Sequence, residues 1–445
     1  MSIYKACDIR GVYGKELNEA TAEAIGGAIA ARVAGRDLVL GADLRPSSSP
    51  LKWALVRGLV SGGAQVVDIG VVPTPVLYDA KDRLGTYAAV MVTASHNPPQ
   101  YNGFKLMFGE RPVTPEDVDW IAQNAGRPYS RQGGGYRTAE ALGPYVKALT
   151  RGHGGLARRR VVADAGNGAM WWLAPMVLGR VGLQVEPLYC LPDGTFPNRH
   201  PNPAIADHLA DLQAECLRLG AWGAAYDGDG DRVIFVDERG RVLPADRTFA
   251  LLVERALVDQ PGARVVYDLK SSQVVPEAVE RAGGVPLEER SGHAFIKARM
   301  LDEDAAWGGE ISGHYFFGEL GRDDALSATL MLARLLDERN VSLAEAMQGV
   351  PSYPITPDLR LPCAAEVADA ILADLDAAFA ERPRSHLDGV KVLFPEGWAL
   401  ARRSVTEPVI TLRFEARTQA TLDEIREEML AASAALRRLA REAGW

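Results

Sequence analysis

The feature that most constrains the fold of this 445-residue chain is a repeated alternation of short apolar runs with stretches of helical pattern. The runs are rich in β-branched residues, which favour strands. Strands that alternate with helices are typical of α/β folds, in which helices cover mainly parallel sheets. The sequence therefore predicts strands at residues 37–40, 64–69, 88–92, 160–163, 183–187, 222–226, 233–236 and 264–267.

The length of the chain and the breaks in its pattern predict four domains. A chain of this size exceeds a single ordinary domain. Breaks occur at the glycine-rich residues 133–135, near residues 244–246 and in the proline-rich segment 351–362. We therefore expect three similar α/β domains with mixed, mainly parallel sheets and then a smaller α+β domain, at residues 1–145, 146–248, 249–352 and 353–445.

Two sequence patterns mark helix starts. Thr114 stands directly before Pro115, so the threonine can cap a helix whose first position is a proline. Residues 421–424 (Thr-Leu-Asp-Glu) form a capping box. We expect this box to open one long amphipathic helix, whose apolar side is formed by Leu422, Ile425, Met429, Leu436 and Leu439.

Composition argues against several classes of protein. The formal net charge is −9, from 58 acidic and 49 basic residues. Nucleic-acid binding depends on neutralising phosphates, so a net acidic chain is a poor candidate for it. The lack of any Cys-x-x-Cys pair argues against a structural zinc site and a disulfide framework, because the cysteines are scattered: Cys7, Cys190, Cys216 and Cys363.

The sequence gives no sign of a membrane protein or a secreted one. No apolar stretch approaches the roughly 18 residues that a membrane span needs. The N-terminal residues include Lys5, Asp8 and Arg10 and lack the pattern of a signal peptide. We expect a cytoplasmic protein that binds neither nucleic acid nor membranes.

An acidic loop gives the clearest chemical signal. Residues 227–232 have the sequence Asp-Gly-Asp-Gly-Asp-Arg and stand between two predicted strands. Three carboxylates at alternate positions would repel one another strongly in a folded loop unless a bound cation relieved the repulsion. Oxygen ligands suit Mg²⁺ or Ca²⁺, and the glycines let the backbone fold tightly around the ion.

A calcium-binding EF-hand is the alternative for this loop. The aspartates fit its first, third and fifth positions, and Glu238 falls at its twelfth. However, Arg232 stands at the sixth position, where the EF-hand requires glycine, and the flanking segments have strand patterns rather than helical ones. Since three carboxylates leave coordination positions open, we predict Mg²⁺ held jointly with a phosphate oxygen.

A serine follows the predicted strand at residues 88–92. Residues 93–98 have the sequence Thr-Ala-Ser-His-Asn-Pro, so Ser95 lies beyond the carboxyl end of a buried strand, where ligands meet open α/β sheets. Serine is a weak nucleophile unless it is activated, and Lys105 can polarise a phosphate. Taken alone, this segment is more often a polar turn that caps a helix.

Two further polar segments are candidates for ligand binding. In residues 309–314, Glu310, Ser312 and His314 occupy alternate positions, so an extended segment would place them on one face to contact sugar hydroxyls. A structural hydrogen-bond network is the alternative. Residues 402–406 (Arg-Arg-Ser-Val-Thr), with Arg413 nearby, have the composition of a phosphate-binding turn or of a solvated basic turn.

Together, and in this order, the four segments resemble the α-D-phosphohexomutase family. The resemblance covers nearly the whole chain and is greatest to the bacterial phosphomannomutase/phosphoglucomutase branch. It is supported by further matches at Asp8 to Gly11, at Gly194 to Asn198 with Pro201, at Gly292, His293 and Lys297, and at Gly397 and Trp398.

The resemblance implies four domains around a central cleft, with one motif from each. Ser95 would carry the phosphoryl group as phosphoserine, with His96 beside it as a further catalytic candidate. Mg²⁺ would be held by a phosphate oxygen on Ser95 and by Asp227, Asp229 and Asp231. Charge on the transferring group would be stabilised by Arg10, Lys105 and Arg232.

The resemblance also implies how the sugar phosphate binds. The sugar contacts would come from Lys270, His293, Glu310, Ser312 and His314. The phosphate that does not react would be held by Arg402, Ser404, Val405, Thr406 and Arg413. Lys105 and His314, on opposite sides, are the candidates for general acid–base catalysis.

Two positions depart from the family pattern. Cys7 stands where many relatives have an aromatic residue, so the contact of that ring is missing. Val405 replaces a frequent asparagine, so backbone N–H groups or a neighbour must supply that phosphate contact.

The implied activity is reversible phosphoryl transfer between positions 1 and 6 of mannose or glucose phosphates, with a hexose 1,6-bisphosphate as intermediate and activator. We expect a monomer or a weak homodimer whose partner is a small phosphosugar. The alternatives are a phosphoglucosamine mutase, a sugar-phosphate phosphatase, and a non-catalytic sensor of sugar phosphate or metal.

Overall fold

The structure is a computed structural model that describes residues 2–129, 131–156, 159–404 and 408–444. Within these ranges the strands form four sheets, and each sheet with its helices is called a unit below. No helix in the same ranges is long and apolar enough to cross a membrane.

The first unit contains a mixed sheet of order β1-β5-β4-β2-β3-β7, with β6 paired to β5. Strands β2, β3, β4 and β7 run parallel, whereas β5 is antiparallel to both β1 and β4. The strands are β1 (Ile9–Val12), β2 (Asp37–Ala42), β3 (Gln65–Val71), β4 (Ala88–Val92), β5 (Tyr101–Phe108), β6 (Arg111–Pro112) and β7 (Gly135–Thr138). The helices are α1 (Glu19–Val33), α2 (Ser48–Ser61), α3 (Thr74–Leu84), α4 (Pro115–Asn124) and α5 (Leu142–Leu149).

The second unit has the sheet order β11-β10-β8-β9, in which β10, β8 and β9 are parallel. Strand β10 is buried along its whole length, as expected for a strand covered on both faces. The elements are β8 (Arg160–Asp164), α6 (Leu173–Arg180), β9 (Gln184–Leu188), α7 (Ala210–Leu219), β10 (Trp222–Tyr226) and β11 (Val233–Val236).

The third unit has the sheet order β13-β12-β14-β15-β16 and is also mixed. Its strands are β12 (Arg264–Asp268), β13 (Val285–Glu289), β14 (Trp307–Gly309), β15 (Tyr315–Phe317) and β16 (Arg322–Asp323). Its helices are α8 (Ala245–Asp259), α9 (Val274–Arg281), α10 (His293–Glu303), α11 (Ala325–Arg339) and α12 (Leu343–Ala346).

The fourth unit is an antiparallel sheet of order β17-β21-β20-β19-β18. Its strands are β17 (Leu359–Pro362), β18 (Arg384–Ser385), β19 (Val390–Phe394), β20 (Gly397–Arg403) and β21 (Val409–Ala416). Its helices are α13 (Ala365–Ala378), α14 (Gln419–Ala431) and α15 (Ala434–Glu442). The predicted plan of three α/β units followed by an α+β unit is confirmed.

The first three units share an apolar core, whereas the fourth unit has a separate one. One continuous core joins the first three units and includes Met91, Val161, Phe235 and Leu326. The fourth unit has a core of its own, and a small cluster that includes Leu269 and Trp398 joins it to the third unit. The first three units are therefore packed as one body, to which the fourth is attached over a limited apolar surface.

The local sequence signals hold for the strands and for one helix start. Every predicted strand is present, with ends that differ by up to two residues from the predicted ones. The start of α4 is also confirmed: the Thr114 hydroxyl accepts a hydrogen bond from the backbone N–H of Asp117, and Pro115 is the first helical residue.

The prediction of one long C-terminal helix that opens at Thr421 is wrong. Helix α14 begins at Gln419, because the Thr418 hydroxyl accepts from the backbone N–H of Thr421 over 3.1 Å and so caps the helix three residues earlier. A second helix, α15, then starts after Ser433, whose hydroxyl accepts from the backbone N–H of Leu436. Two separately capped helices therefore replace the single one.

The Ser433 cap generates a test of local stability. Its hydroxyl is buried, caps α15 and donates to Asp374 Oδ2 over 2.7 Å. Loss of such a cap costs about 1–2 kcal/mol, so we expect Ser433→Ala to speed amide hydrogen exchange in α15 by about 5- to 30-fold. Thr418→Ala, which removes the exposed cap of α14, is the control: exchange in α15 should not change. An unchanged exchange rate in Ser433→Ala would contradict the assignment of the cap.

Candidate functional site

Ser95 lies in the turn that follows β4, at the carboxyl end of a fully buried strand. Its φ is 50°, in the left-handed region that a serine rarely adopts. Its backbone N–H donates to the Thr93 hydroxyl over 2.8 Å. The Ser95 hydroxyl donates to Asp227 Oδ2 over 2.8 Å and lies 3.2 Å from His96 Nδ1. The serine is thus held against the acidic loop of the second unit.

The acidic loop joins β10 to β11 and carries three buried aspartates. One carboxylate oxygen from each of Asp227, Asp229 and Asp231 lies within 4.8 Å of the others, and all three residues are 0% exposed. Burial, together with the neighbouring carboxylates of Asp229 and Asp231, raises the pKa of Asp227 to about 8. The raised pKa shows that the loop crowds carboxylates together where water cannot screen their repulsion.

Lys105 supplies the opposite charge from β5 of the first unit. Its Nζ donates to Asp229 Oδ2 over 2.7 Å and also contacts Asp231 Oδ2. Although burial alone would lower the pKa of this lysine, the carboxylates of Asp229 and Asp231 hold it well above its usual range. Lys105 therefore stays charged and ties the first unit to the acidic loop.

The donor set of the loop fits Mg²⁺. Among the described residues, Asp229 Oδ1 is a buried side-chain oxygen without a hydrogen-bond partner, and Asp231 Oδ1 accepts no hydrogen bond although His314 Nε2 lies 3.4 Å away. Buried acceptors are otherwise almost always paired, so these oxygens have capacity left for a cation. The Ser95 hydroxyl and the three carboxylates are all hard oxygen donors, which Mg²⁺ prefers.

Close packing of two loops brings Ser95 to the aspartates. A Cβ placed on Gly228 would lie 2.5 Å from the Ser95 carbonyl oxygen, so only glycine allows this approach. Thr74, at the start of α3, supplies a second link: its backbone N–H donates to the Asp229 carbonyl over 2.9 Å, and its hydroxyl donates to Asp229 Oδ2 over 2.7 Å. The first and second units therefore build this part of the site jointly.

The segment at residues 309–314 has a different conformation from the predicted one. It was expected to be extended, but residues 311 and 312 form a turn, in which the Gly313 N–H donates to the Glu310 carbonyl over 3.0 Å. Gly313 has a φ of 93°, which reverses the chain there. The prediction of one shared strand face is wrong, because the glycine permits a tight turn where the alternating pattern suggests a strand.

The side chains of this turn nevertheless meet. The Ser312 hydroxyl lies 2.9 Å from His314 Nδ1, and Glu310 Oε2 lies 3.3 Å from the same nitrogen. On the other side of the ring, His314 Nε2 lies 3.4 Å from Asp231 Oδ1 and 3.5 Å from Asp323 Oδ2. His314 therefore links the turn of the third unit to the acidic loop.

Burial and neighbouring charges set the protonation states of His314 and His293. Burial and the charge of Arg232 would lower the pKa of His314, but the carboxylates of Asp231 and Glu310 raise it to about 9. His293 stacks on His314 with ring centres 5.7 Å apart. Burial and the nearby charge of Lys105 lower the pKa of His293 to about 3. The stacked pair thus combines a cationic ring with a neutral one.

The two arginines predicted to stabilise charge border the Ser95 loop. Arg10 Nη1 donates to Asn97 Oδ1 over 2.6 Å, and Nη2 pairs with Asp8 over 2.5 Å. Arg232 Nε lies 3.9 Å from Asp227 Oδ2 and 3.4 Å from His314 Nε2. Arg10 therefore contacts the loop that carries Ser95, and Arg232 contacts Asp227, to which Ser95 donates.

Lys270, Arg402, Ser404 and Arg413, which were predicted to bind sugar or the remaining phosphate, have their contacts elsewhere. Lys270 Nζ and Arg413 Nη1 share the carboxylate of Asp358, at 2.5 and 3.3 Å. Arg402 Nε pairs with Asp388 over 2.8 Å. Ser404 donates its backbone N–H to the Val409 carbonyl over 2.9 Å. Val405 and Thr406 lie outside the described residues.

The structure does not bring Arg402 and Arg413 together with Ser95. Within the described part of the chain, neither Arg402 nor Arg413 contacts Ser95 or the three aspartates. The shared Asp358 instead joins Lys270 of the third unit to Arg413 of the fourth.

Cys7, one of the two positions that depart from the family pattern, lines a cavity of about 600 Å³. The cavity is also lined by His293 and Phe295 at the start of α10. Burial raises the pKa of the Cys7 thiol to about 12, so the thiol stays protonated and takes no charge into the cavity.

Sequence reasoning missed Thr74 and Asp323. Thr74 follows the carboxyl end of β3, so its place after a parallel strand was an available signal. Asp323 is buried and lies beside His314. The sequence around Asp323 gave no sign of this contact. Asp323 lies in β16, whereas His314 follows a turn several residues earlier in the chain.

The chain matches the same family in all four of its units. Residues 1–131, 144–240 and 244–353 match the phosphoglucomutase/phosphomannomutase alpha/beta/alpha domains I, II and III, in that order, and residues 360–432 match the C-terminal domain.

Proteins with assigned names match over nearly the whole chain. The phosphomannomutase/phosphoglucomutase of Pseudomonas aeruginosa is 37% identical over 434 residues, which cover 96% of this chain and 94% of that protein. The phosphoglucomutase of Neisseria meningitidis is 36% identical over 444 residues, which cover 96% of each chain.

A solved structure matches as well. The crystal structure of a phosphoglucomutase/phosphomannomutase family protein from Burkholderia thailandensis superposes with a TM-score of 0.91 at 34% identity, covering 98% of this chain and 97% of that one. These matches confirm the resemblance found in the sequence: the chain belongs to the phosphoglucomutase/phosphomannomutase family.

Proposed function

We propose that this chain catalyses the reversible transfer of a phosphoryl group between positions 1 and 6 of mannose and glucose phosphates. Transfer proceeds through phosphoserine at Ser95 and a hexose 1,6-bisphosphate, and it requires Mg²⁺. The observation that carries the proposal is the contact of the Ser95 hydroxyl with Asp227, at 2.8 Å, beside the charged pair of Lys105 and Asp229. The names of the relatives from Pseudomonas aeruginosa and Neisseria meningitidis support the same activity.

The reaction is two phosphoryl transfers in opposite directions. Phospho-Ser95 donates its phosphoryl group to the free hydroxyl of a hexose monophosphate: the bond from phosphorus to the serine oxygen breaks, and a bond to the sugar oxygen forms. The hexose 1,6-bisphosphate then turns over in the cleft. Its other phosphoryl group returns to the Ser95 oxygen, and the isomeric monophosphate leaves.

Positioning and charge stabilisation dominate such transfers. When bound, Mg²⁺ supplies positive charge at the transferring phosphoryl oxygens, and Asp227, Asp229 and Asp231 would hold it together with the Ser95 oxygen. Arg10 and Arg232 border the same place and neutralise charge on the transferring group. Closure of the cleft around the bound sugar would keep water from accepting the phosphoryl group.

Lys105 and His314 are proposed as the acid–base pair: the group that faces the sugar hydroxyl accepts its proton in the neutral form, and the other, protonated, gives a proton to the leaving oxygen. Both contact Asp231, Lys105 at Oδ2 and His314 at Oδ1, so they approach the acidic loop from different sides. Glu310 and Ser312 hold the ring of His314 from its other nitrogen and offer oxygen atoms to sugar hydroxyls. His96 adjoins the Ser95 hydroxyl and orients it.

The phosphate that does not react is proposed to bind at Arg402, Ser404, Val405, Thr406 and Arg413. This clamp has to accept the substrate in both orientations, because the bisphosphate presents first one phosphate and then the other to Ser95. Lys270 and His293 complete the sugar contacts from the third unit. Attachment of the fourth unit through a small apolar cluster is compatible with opening and closing around the substrate.

Replacement of Ser95 tests the proposal. Ser95→Ala removes the oxygen that carries the phosphoryl group, so we expect turnover of glucose 1-phosphate and mannose 1-phosphate to fall at least about 1,000-fold, with the fold intact. Intact mass should show one phosphate on the native chain, lost when substrate is added and absent from Ser95→Ala.

Ser433→Ala is the control for the loss of a buried serine hydroxyl, and it should retain both the phosphate and full turnover. Turnover by Ser95→Ala at the native rate would overturn the proposal. Release of inorganic phosphate without a bisphosphate activator would favour a phosphatase, and preference for glucosamine phosphate would favour a phosphoglucosamine mutase.

The metal loop gives a second test. Asp229→Asn replaces an anionic oxygen by a neutral amide, so we expect the Mg²⁺ concentration for half-maximal activity to rise about tenfold or more. Asp237→Asn is the matched control, because Asp237 is an equally buried aspartate of the second unit that pairs with Arg241 instead. An Mg²⁺ titration of Asp229→Asn that coincides with the native one would contradict the assignment.

A further inference from the structure

Arg45 is a buried cation to which the proposed reaction assigns no role. It lies in the turn between β2 and α2 and is 2% exposed. Its Nε donates to Asp43 Oδ2 over 3.1 Å, and its backbone N–H donates to Asp43 Oδ1 over 3.0 Å. Asp43 is held in turn by the hydroxyls of Ser48 and Thr93, at 2.5 and 2.7 Å. One edge of the guanidinium is therefore anchored firmly.

The other edge of the guanidinium lies among backbone carbonyls of the Ser95 loop. Nη2 donates to the carbonyls of Ser95 and Asn97, at 2.7 and 2.6 Å. Nη1 donates to the carbonyls of Pro98 and Tyr101, at 2.7 and 3.1 Å. With the bond from Nε, these contacts use all five N–H donors of the group. A lysine has three donors on one nitrogen and cannot reproduce this planar arrangement.

Ser95 needs this support because its backbone is strained. A serine in the left-handed region, at a φ of 50° here, is less stable than in ordinary conformations and persists only where its surroundings impose it. Arg45 binds the carbonyl of the strained residue and those of residues that follow it, so it fixes the turn from Ser95 onward. The same bonds pair these carbonyl oxygens with a buried cation.

Arg45 also faces the second unit. The ring of Phe196 lies 5.0 Å from the guanidinium carbon. A Cβ on Gly194, in the same loop as Phe196, would lie 2.1 Å from the Leu44 carbonyl oxygen, so this loop packs directly against the turn that carries Arg45. The position of the Ser95 loop is thus set relative to the unit that holds the aspartates.

We propose that Arg45 is the positioning residue of the phosphoserine loop. It holds the Ser95 oxygen at the acidic loop in the geometry that transfer requires, and it does not contact the substrate. The inference rests on the proposed function, because it concerns the same serine.

Arg45→Lys tests it, since the change keeps the charge and removes the five-donor geometry. We expect kcat to fall about 100-fold, because a displacement of about 1 Å in a reacting group costs about that much. The KM for glucose 1-phosphate should change by less than about threefold, since the residues proposed to bind substrate are untouched.

Arg384→Lys is the matched control. Arg384 is anchored on Asp376 over 2.5 Å and donates to the carbonyls of Phe379 and Ala380, so it is the same kind of arginine in the fourth unit. We expect kcat of Arg384→Lys to equal the native value. A fall in kcat of similar size in both variants would show a general effect of lost stability and would overturn the proposal.

Two further variants keep the test decisive if Arg45→Lys does not fold. Asp43→Asn retains Arg45 and weakens its anchor, so kcat should fall about tenfold without a change in KM. In Arg45→Ala, millimolar guanidinium ion should restore kcat at least about tenfold, because it can enter the space of the missing group.

A kcat within about twofold of the native value in Arg45→Lys or Asp43→Asn would overturn the inference. Failure of the proposed function would look different: the native chain would then lack mutase turnover, or Ser95→Ala would retain it. Neither of those results depends on Arg45.

Discussion

Three buried carboxylates in one short loop are the constraint on which the rest of the molecule depends. Asp227, Asp229 and Asp231 are shielded from water, and their mutual repulsion has to be balanced by cationic groups, of which the loop itself supplies Arg232. Lys105 of the first unit and His314 of the third also contribute to this balance. Assembly of the three α/β units is therefore coupled to charge at the site, because a unit that moved away would leave a buried charge unpaired.

Much of the fold could be predicted because its signals are local. Strands β4 and β10 are continuous apolar runs, and Thr114 with Pro115 marks a helix start. The errors arose where two local explanations compete. Thr418 and Thr421 are both competent caps, and the sequence does not rank them. The alternating polar residues from Glu310 to His314 have a strand-like pattern, although the backbone turns at Gly313.

The candidate site likewise contains residues that the sequence could predict and residues that it could not. Ser95 and the aspartates could be predicted because each chemical group stands in one short motif. Thr74 stands after a parallel strand, which was a signal, but its contact with Asp229, 155 positions away, and the contacts of Arg45 with the Ser95 loop could not be predicted. Such contacts arise when complete units pack together, so a short stretch of sequence does not reveal them. Sequence thus indicates the reacting groups, and the structure adds the residues that hold them in place.

The separate core of the fourth unit has a consequence for how proteins of this kind diverge. Among the described residues, that core makes its apolar contact with the third unit through a small cluster, while polar pairs such as Lys391 with Glu288 and Arg417 with Glu277 also join the two units. A substitution in the common core of the other three units acts instead on packing that all three share. Substitutions can therefore accumulate in the core of the C-terminal unit more independently than in the core that the other three units share.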